Sequence, residues 1–145
     1  MEERKAAPPV PSSYTIRLRV RHDDIDQLGH VNNAVYLVYA QEAAYRHAES
    51  AGFSLERMRE LGGAFVIHHL EIDYHRPAYA GDELLVTTRI TFMKGMKATR
   101  ETSVVKAGDA KPVATAKIDY IWVSNQGRPA HIPAEAIALF DVSHS

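Results

Sequence analysis

The alternation of hydrophobic and polar residues predicts five β-strands. Ile16, Leu18 and Val20 alternate with polar residues, which indicates a half-buried strand from Tyr14 to Arg21. The same period predicts four later strands, at residues 66–75, 83–93, 97–107 and 113–124. In the strand at residues 83–93, the side chains expected on one face are Leu84, Val86, Thr88, Ile90 and Phe92. Short glycine-containing turns separate the last three strands, which are therefore expected to form an antiparallel meander.

A long helix is predicted from Ala34 to Ser50. Asn32 or Asn33 is suited to cap its N-terminus, and Gly52 is suited to end it. Apolar residues cover most of its circumference, so we expect this helix to be buried nearly all round. Two shorter helices are predicted, at residues 54–61 and 133–139.

The order of these elements predicts an α+β fold in which one antiparallel sheet wraps around the long helix. No other predicted element is large enough to cover that helix. The length of 145 residues is that of one domain, which we expect to span residues 14–145. Residues 1–13 carry four charges and three prolines and are predicted to be a flexible tail.

Composition excludes several classes of protein. With 17 basic and 18 acidic residues the net charge is -1, which argues against a dedicated nucleic-acid-binding protein. The chain contains no cysteine, so it has neither a thiol nucleophile nor a thiolate metal site. No apolar run is long enough to span a membrane and none near the N-terminus resembles a signal peptide, so we expect a cytoplasmic protein.

The candidate chemistry lies in the loop before the long helix. This loop brings Asp24, Asp26, His30, Asn32 and Asn33 to the helix N-terminus. Free backbone N–H groups at that end of a helix carry partial positive charge. The loop is therefore suited to hold an oxyanion beside one or two carboxylates.

This loop and the start of the helix, RHDDIDQLGHVNNAVYLVYAQEA, resemble the first signature of a known family. The family is the hotdog-fold acyl-CoA thioesterases of the 4-hydroxybenzoyl-CoA thioesterase type, with the pattern D-x-D-x-x-G-H-V-N-N-x-x-Y. A second block, residues 72–84, resembles the strand and turn that follow in that family, and the resemblance covers residues 14–124. The positions that fit the first signature are Asp24, Asp26, Gly29, His30, Val31, Asn32, Asn33 and Tyr36.

The resemblance implies a site and an assembly. Asp26 would be the catalytic carboxylate, and the backbone N–H near Asn33 the oxyanion donor. Such enzymes need no cofactor or metal; they form dimers by joining two sheets edge to edge, often pair again into tetramers, and bind acyl-CoA at the subunit interface. His30 is expected to orient the loop or the attacking group through a hydrogen bond.

Four residues are candidates for substrate binding. Lys94, Lys97 and Arg100 flank a turn and are candidates for contacts with the CoA phosphates, with a solvated basic edge as the alternative. The basic cluster is sparser here than in many relatives of the family. Tyr36 is expected either in the core or in the wall of the acyl pocket.

Other interpretations stay open at this point. Asp24 is expected to bind loop N–H groups in a structural role, and Glu42 is a rival catalytic base. His22, His68, His69 and His75 offer metal-ligand types, but no metal-binding spacing is present. The alternative functions are a hotdog hydratase that acts on an enoyl thioester and a non-catalytic protein that binds acyl thioesters.

Overall fold

The computed structural model describes residues 8–142 and contains every predicted helix and strand. The boundaries differ from the predicted ones by a few residues, and two short strands are added near the chain ends. The elements are, in order, β1 (Val10–Pro11), β2 (Ser13–Arg19), α1 (Val35–Ser50), α2 (Leu55–Glu60), β3 (Gly63–Tyr74), β4 (Glu83–Lys94), β5 (Lys97–Lys106), β6 (Pro112–Ser124), α3 (Ala134–Ile137) and β7 (Phe140–Asp141).

Five strands form one antiparallel sheet in the order β2-β4-β5-β6-β3. The predicted meander is confirmed, because β5 pairs with β4 on one side and with β6 on the other. β2 pairs with β4 and β3 pairs with β6, so β2 and β3 are the two edges. Among residues 8–142, the 12-residue strand β3 has a partner on one side only. The predicted α+β arrangement, with a single antiparallel sheet against one long helix, is confirmed.

Helix α1 packs one side against β2 and β4. Its opposite side is not covered by the described chain, since Val38 and Tyr45 are 58% and 55% exposed. The expectation that α1 is buried nearly all round is therefore wrong for the chain alone, because the sheet reaches only one face of the helix. No helix among the described residues is long and apolar enough to cross a membrane. The buried positions of α1 are Tyr36, Tyr39, Ala40, Ala43, His47 and Ala48.

Two apolar clusters lie between α1 and the sheet. The first surrounds the N-terminal half of α1 and includes Val20 and Val31, which border the candidate loop. The second surrounds its C-terminal half, where Phe53 stacks on Trp122 with ring centroids 6.2 Å apart. The first cluster therefore fixes both ends of the loop, and the second holds the far end of the helix.

A β-bulge in β4 changes which side chains face inward. The pairing of β4 with β5 shifts register between Ile90 and Phe92. Before the bulge, the predicted inward positions are buried, but beyond it Phe92 is 43% exposed and Met93 faces the interior instead. The prediction for Phe92 is wrong, because one extra residue reverses the alternation of a strand.

Part of the segment predicted as an N-terminal tail, residues 1–13, is paired into the fold. β1 pairs in parallel with β7, with Val10 opposite Phe140. The carbonyl oxygen of Pro11 lies 2.8 Å from Nε2 of His47 on α1. Residues 10–13 are thus part of the folded domain, whereas residues 1–7 lie outside the described residues.

Candidate active site

The segment between β2 and α1 is a folded loop that the rest of the protein holds at both ends. The N–H groups of Val20 and Val31 donate to carbonyls of the turn between β3 and β4, at 2.9 and 2.8 Å. Ile25 and Val31 form an antiparallel bridge that closes the loop. Gly29 turns the chain there with φ 85°, a conformation that favours glycine. The site residues are therefore carried on a fixed backbone.

Asp24 anchors this loop from the inside. The side chain is buried, and its carboxylate accepts hydrogen bonds from the Arg21 backbone N–H at 3.1 Å and from the Tyr39 hydroxyl at 2.9 Å. Burial raises the pKa of Asp24, but these hydrogen bonds outweigh it and hold the pKa below its usual value. Asp24 binds a loop N–H group, as predicted.

Asp26 lies two residues further on and faces outward. Its Oδ1 accepts a hydrogen bond from the Leu28 N–H at 2.9 Å, while its own N–H donates to the His30 carbonyl at 3.0 Å. Its Oδ2 accepts no hydrogen bond from residues 8–142. The half-buried carboxylate borders a shallow depression whose lining includes Leu28 and Asn32. One oxygen of Asp26 is thus fixed and the other remains open to a reactant.

The start of α1 differs from the predicted cap. Ala34 occupies the N-cap position, and no side chain caps the helix there. Instead, Asn32 Oδ1 accepts a hydrogen bond from the Ala34 N–H, and the Asn32 carbonyl accepts one from the Val35 N–H, both at 2.9 Å. Asn32 therefore closes the turn that leads into the helix, two residues before the cap position.

The backbone N–H of Asn33 is open. Within the described residues it donates no hydrogen bond, although it lies at the positive end of α1. The carbonyl of the same residue accepts a hydrogen bond from the Tyr74 hydroxyl at 2.9 Å, which fixes the Asn33 backbone to β3. An unpaired and anchored N–H of this kind is suited to stabilise negative charge on an oxygen.

His30, Asn33 and Tyr36 line one crevice of about 220 Å³, which Tyr74 also borders. Tyr36 is buried, and its ring lies 5.7 Å from that of Tyr74. Burial raises the pKa of the Tyr36 hydroxyl. Asp26 lines a different depression, to which Asn32 contributes, whereas Asn33 contributes to the crevice, so the peptide that joins Asn32 to Asn33 connects the two linings along the chain.

The three predicted phosphate-binding residues are not together. Lys94 and Lys97 are exposed on either side of the turn between β4 and β5. The 12 residues of β4 separate that turn from the Glu83 end of the sheet, beside the loop, by about 37 Å at 3.4 Å per residue. Arg100 is 8% exposed and faces the interior, so its predicted place on the surface is wrong.

The rival candidates occupy other surroundings. Glu42 lies on the exposed side of α1, where it pairs with Arg46 at 2.9 Å. Among residues 8–142, the His, Asp and Glu side chains form no group of three that could hold a metal ion.

Two tyrosines, which the sequence placed only in the core or the wall of the acyl pocket, hold site residues through hydrogen bonds that were not predicted. Tyr39 and Tyr74 hold Asp24 and Asn33 through their hydroxyl groups. Tyr39 lies 15 positions from Asp24, on the inward face of the predicted helix, which is the one signal that could have suggested the contact.

Comparisons with known proteins agree with the fold and the loop motif. A family model described as the Thioesterase-like superfamily matches residues 20–140. The chain is 32% identical over 127 residues to the chloroplastic acyl-acyl carrier protein thioesterase ATL2 of Arabidopsis thaliana, covering 88% of this chain and 68% of the plant protein. It is 29% identical over 107 residues to the long-chain acyl-CoA thioesterase FadM of Escherichia coli strain K12, covering 74% and 80% of the two chains.

A solved structure shows the same architecture. The crystal structure of Slr0204, a 1,4-dihydroxy-2-naphthoyl-CoA thioesterase from Synechocystis, matches with a TM-score of 0.81 and 25% identity, covering 92% of this chain and 99% of that one. The chain belongs to the Thioesterase-like superfamily, as its loop motif predicted. It is a thioester hydrolase with the hotdog fold.

Proposed function

We propose that the protein hydrolyses acyl-CoA to the free acid and CoA, with Asp26 as the catalytic carboxylate and the Asn33 N–H as the oxyanion donor. One observation carries this assignment: the unpaired Asn33 N–H belongs to the peptide between Asn32, which lines the depression of Asp26, and Asn33, which lines the crevice of His30. A thioester carbonyl at that peptide would point its oxygen at a helix N-terminus and have a carboxylate of the same loop beside it.

The chemistry follows from these two groups. As the carbonyl is attacked, negative charge develops on its oxygen, and one well-placed N–H stabilises that charge by about 3 kcal/mol. Asp26 acts in one of two ways. Its free oxygen attacks the carbonyl carbon, the C–S bond breaks to release CoA, and water then hydrolyses the mixed anhydride, or else Asp26 takes a proton from water, which attacks directly. Both routes consume one water and give one acid and one thiol.

The neighbouring side chains take supporting roles. His30, in the same crevice as Asn33, orients the loop or the attacking group. Tyr36 forms the inner wall of the crevice, with its ring against Tyr74. Both tyrosines are carried by regular elements, α1 and β3, so this wall limits where the acyl group can lie.

The assembly is proposed to be a dimer joined through β3, with a dimer of dimers as the next step. Support comes from the unpaired edge of β3 and from the exposed apolar side chains of Val66 on β3 and Val38 on α1. In antiparallel pairing, the Tyr74 end of one β3 meets the Gly63 end of the other. Gly63 lies at the same end of the sheet as the lysine-bearing turn. Lys94 and Lys97 of the second subunit would then approach the CoA phosphates.

A thiol-release assay tests the proposed reaction. Acyl-CoAs with short, long and aromatic acyl groups are compared, and the same acyl groups on acyl carrier protein test the alternative donor. Release of thiol from at least one acyl-CoA is expected. Crotonyl-CoA separates hydrolysis from hydration, because hydration leaves the CoA attached. Tight binding of acyl-CoA with no thiol released from any thioester would instead favour a non-catalytic binding protein.

The cytoplasmic location remains a prediction from the sequence. Fractionation of cells that express the full chain tests it, with recovery in the soluble cytoplasmic fraction as the expected result. Recovery in an organelle or in a membrane fraction would contradict it.

A further inference from the structure

A separate cavity of about 390 Å³ lies between the C-terminal half of α1 and the sheet. Its walls are mostly apolar and include Phe53, Phe65 and Ile90. None of the described residues that line it is acidic, and Arg100 is the one charged residue among them. The cavity is therefore an apolar chamber that holds a single buried cation.

The guanidinium of Arg100 is only partly satisfied. Its Nη1 donates to Nδ1 of His47 at 2.9 Å and to the Thr88 hydroxyl at 3.1 Å. Among residues 8–142, its Nε and Nη2 make no hydrogen bond and no carboxylate pairs with it. Burial lowers its pKa to about 10, so the group stays charged at neutral pH. An unpaired buried charge is costly, and an anion in the cavity would remove that cost.

His47 cannot serve as the missing anion. Its Nε2 lies 2.8 Å from the Pro11 carbonyl, which can only accept, so Nε2 carries the proton and Nδ1 is the lone pair that faces Arg100. The imidazole is thus neutral and fixes one edge of the guanidinium. The other edge, with Nε and Nη2, is the fork that binds a carboxylate with two hydrogen bonds.

A second unsatisfied donor lies beside Arg100. The hydroxyl of Tyr120 is buried and has no hydrogen-bond partner among the described residues, and Tyr120 lines the same cavity. On the inward face of the sheet, Arg100 pairs with Ile118 and Ala98 pairs with Tyr120, so Arg100 and Tyr120 are diagonal neighbours. A buried tyrosine hydroxyl without a partner is unusual in a folded protein.

We infer that this cavity binds a carboxylate carried on an apolar chain, with the carboxylate held by Arg100 and Tyr120 and the chain held by the apolar walls. Two sources have this chemistry. One is a free fatty acid, and the other is the far-end carboxylate of a dicarboxylic acyl thioester whose thioester lies at the Asn33 N–H. The second source rests on the proposed function, whereas the first does not.

The geometry of α1 permits the thioester source. Leu37, Gln41, Ala44 and Ala48 are spaced so that they lie on one face of the helix, and the last three line the cavity. This stripe begins one turn after Asn33 and leads to the level of His47. The distance along the helix axis from Asn33 to His47 is about 21 Å at 1.5 Å per residue. The thioester must therefore be a long-chain one, such as the mono-CoA ester of hexadecanedioic acid.

Calorimetry with free ligands tests the carboxylate site. The wild type should bind dodecanoate about tenfold or more tightly than dodecanol at pH 8, because the charge-assisted hydrogen bonds are made only by the acid. Arg100→Met and Tyr120→Phe should each reduce this ratio, the first to near one. Arg89→Met is the matched control, since Arg89 is exposed and pairs with Glu101 on the neighbouring strands. Unfolding curves confirm that each variant is folded.

Thiol release identifies the source of the carboxylate. A lower KM for hexadecanedioyl-CoA than for hexadecanoyl-CoA, lost in Arg100→Met, assigns the site to the substrate. Preference for dodecanoate without any such difference in KM assigns it to a free fatty acid. Preference for dodecanoate with no thiol released from any thioester leaves the carboxylate site standing while the proposed function fails. Equal affinity of the wild type for dodecanoate and dodecanol would overturn the inference.

Discussion

The buried histidine of α1 makes the stability of the protein depend on pH. His47 is 1% exposed, stacks against Tyr14, and accepts a hydrogen bond from the Arg100 guanidinium. Burial, and then the nearby positive charge of Arg100, lower the pKa of His47 from 6.5 to about 4. The unfolded chain therefore takes up a proton near pH 6.5, and the folded protein does so only near pH 4.

The sign and size of the effect follow from this difference. Between these two pH values the unfolded state binds more protons, so the free energy of unfolding falls as the pH is lowered. From pH 8 to pH 5, the contribution of His47 falls by about 2 kcal/mol. His47→Gln should lose about 2 kcal/mol less over this interval, because glutamine can make both hydrogen bonds without titrating.

Urea unfolding at pH 8 and pH 5 measures this contribution, with Trp122 as the fluorescent probe. Trp122 is the one tryptophan of the chain and is 2% exposed in the folded protein. All proteins are compared at one concentration, so that any assembly contributes equally. His131→Gln is the matched control, since His131 is exposed and lies outside β3 and the proposed sites, and it should keep the slope of the wild type. If His47→Gln and the wild type lost equal stability, the neutral buried state of His47 would be wrong.

Two further variants test the anchor of the loop and the phosphate contacts. Tyr39→Phe removes a hydrogen bond to the buried Asp24 carboxylate and should lower the free energy of unfolding by about 1 to 3 kcal/mol in urea titrations, whereas Tyr45→Phe, at an exposed position, should change it little. Lys94→Gln combined with Lys97→Gln should raise KM about fivefold for an acyl-CoA but not for the matching acyl-pantetheine, which lacks the nucleotide phosphates. A rise in KM for both substrates would contradict the phosphate contacts.

The strands and helices could be predicted because an element that buries one face carries apolar residues at a regular spacing along the sequence. Leu84, Val86, Thr88 and Ile90 are apolar or small at every second position, and all four are buried. The prediction failed at Phe92 because the bulge after Ile90 depends on how β4 pairs with β5. The exposed side of α1 was misjudged for a related reason, since composition shows that a face is apolar but not what covers it.

The site was predictable only in part. The loop motif indicated Asp26, His30 and Asn33, because they are close in sequence. The contact between Tyr74 and Asn33 joins residues 41 positions apart, and no local spacing predicts it. Arg100 was misplaced because two nearby lysines suggested a basic surface, although it shares the inward phase of its strand with buried neighbours. The sequence signal for its burial was therefore present.

The most direct test of the central claim is thiol release by Asp26→Asn, with Asp23→Asn as the matched control on the same loop. Asp23 is exposed and has no assigned role. We expect Asp26→Asn to reduce kcat about a hundredfold or more while acyl-CoA binding, measured by calorimetry, is retained. Asp23→Asn should keep the turnover of the wild type. If Asp26→Asn turned over as fast as Asp23→Asn, Asp26 would not be the catalytic carboxylate.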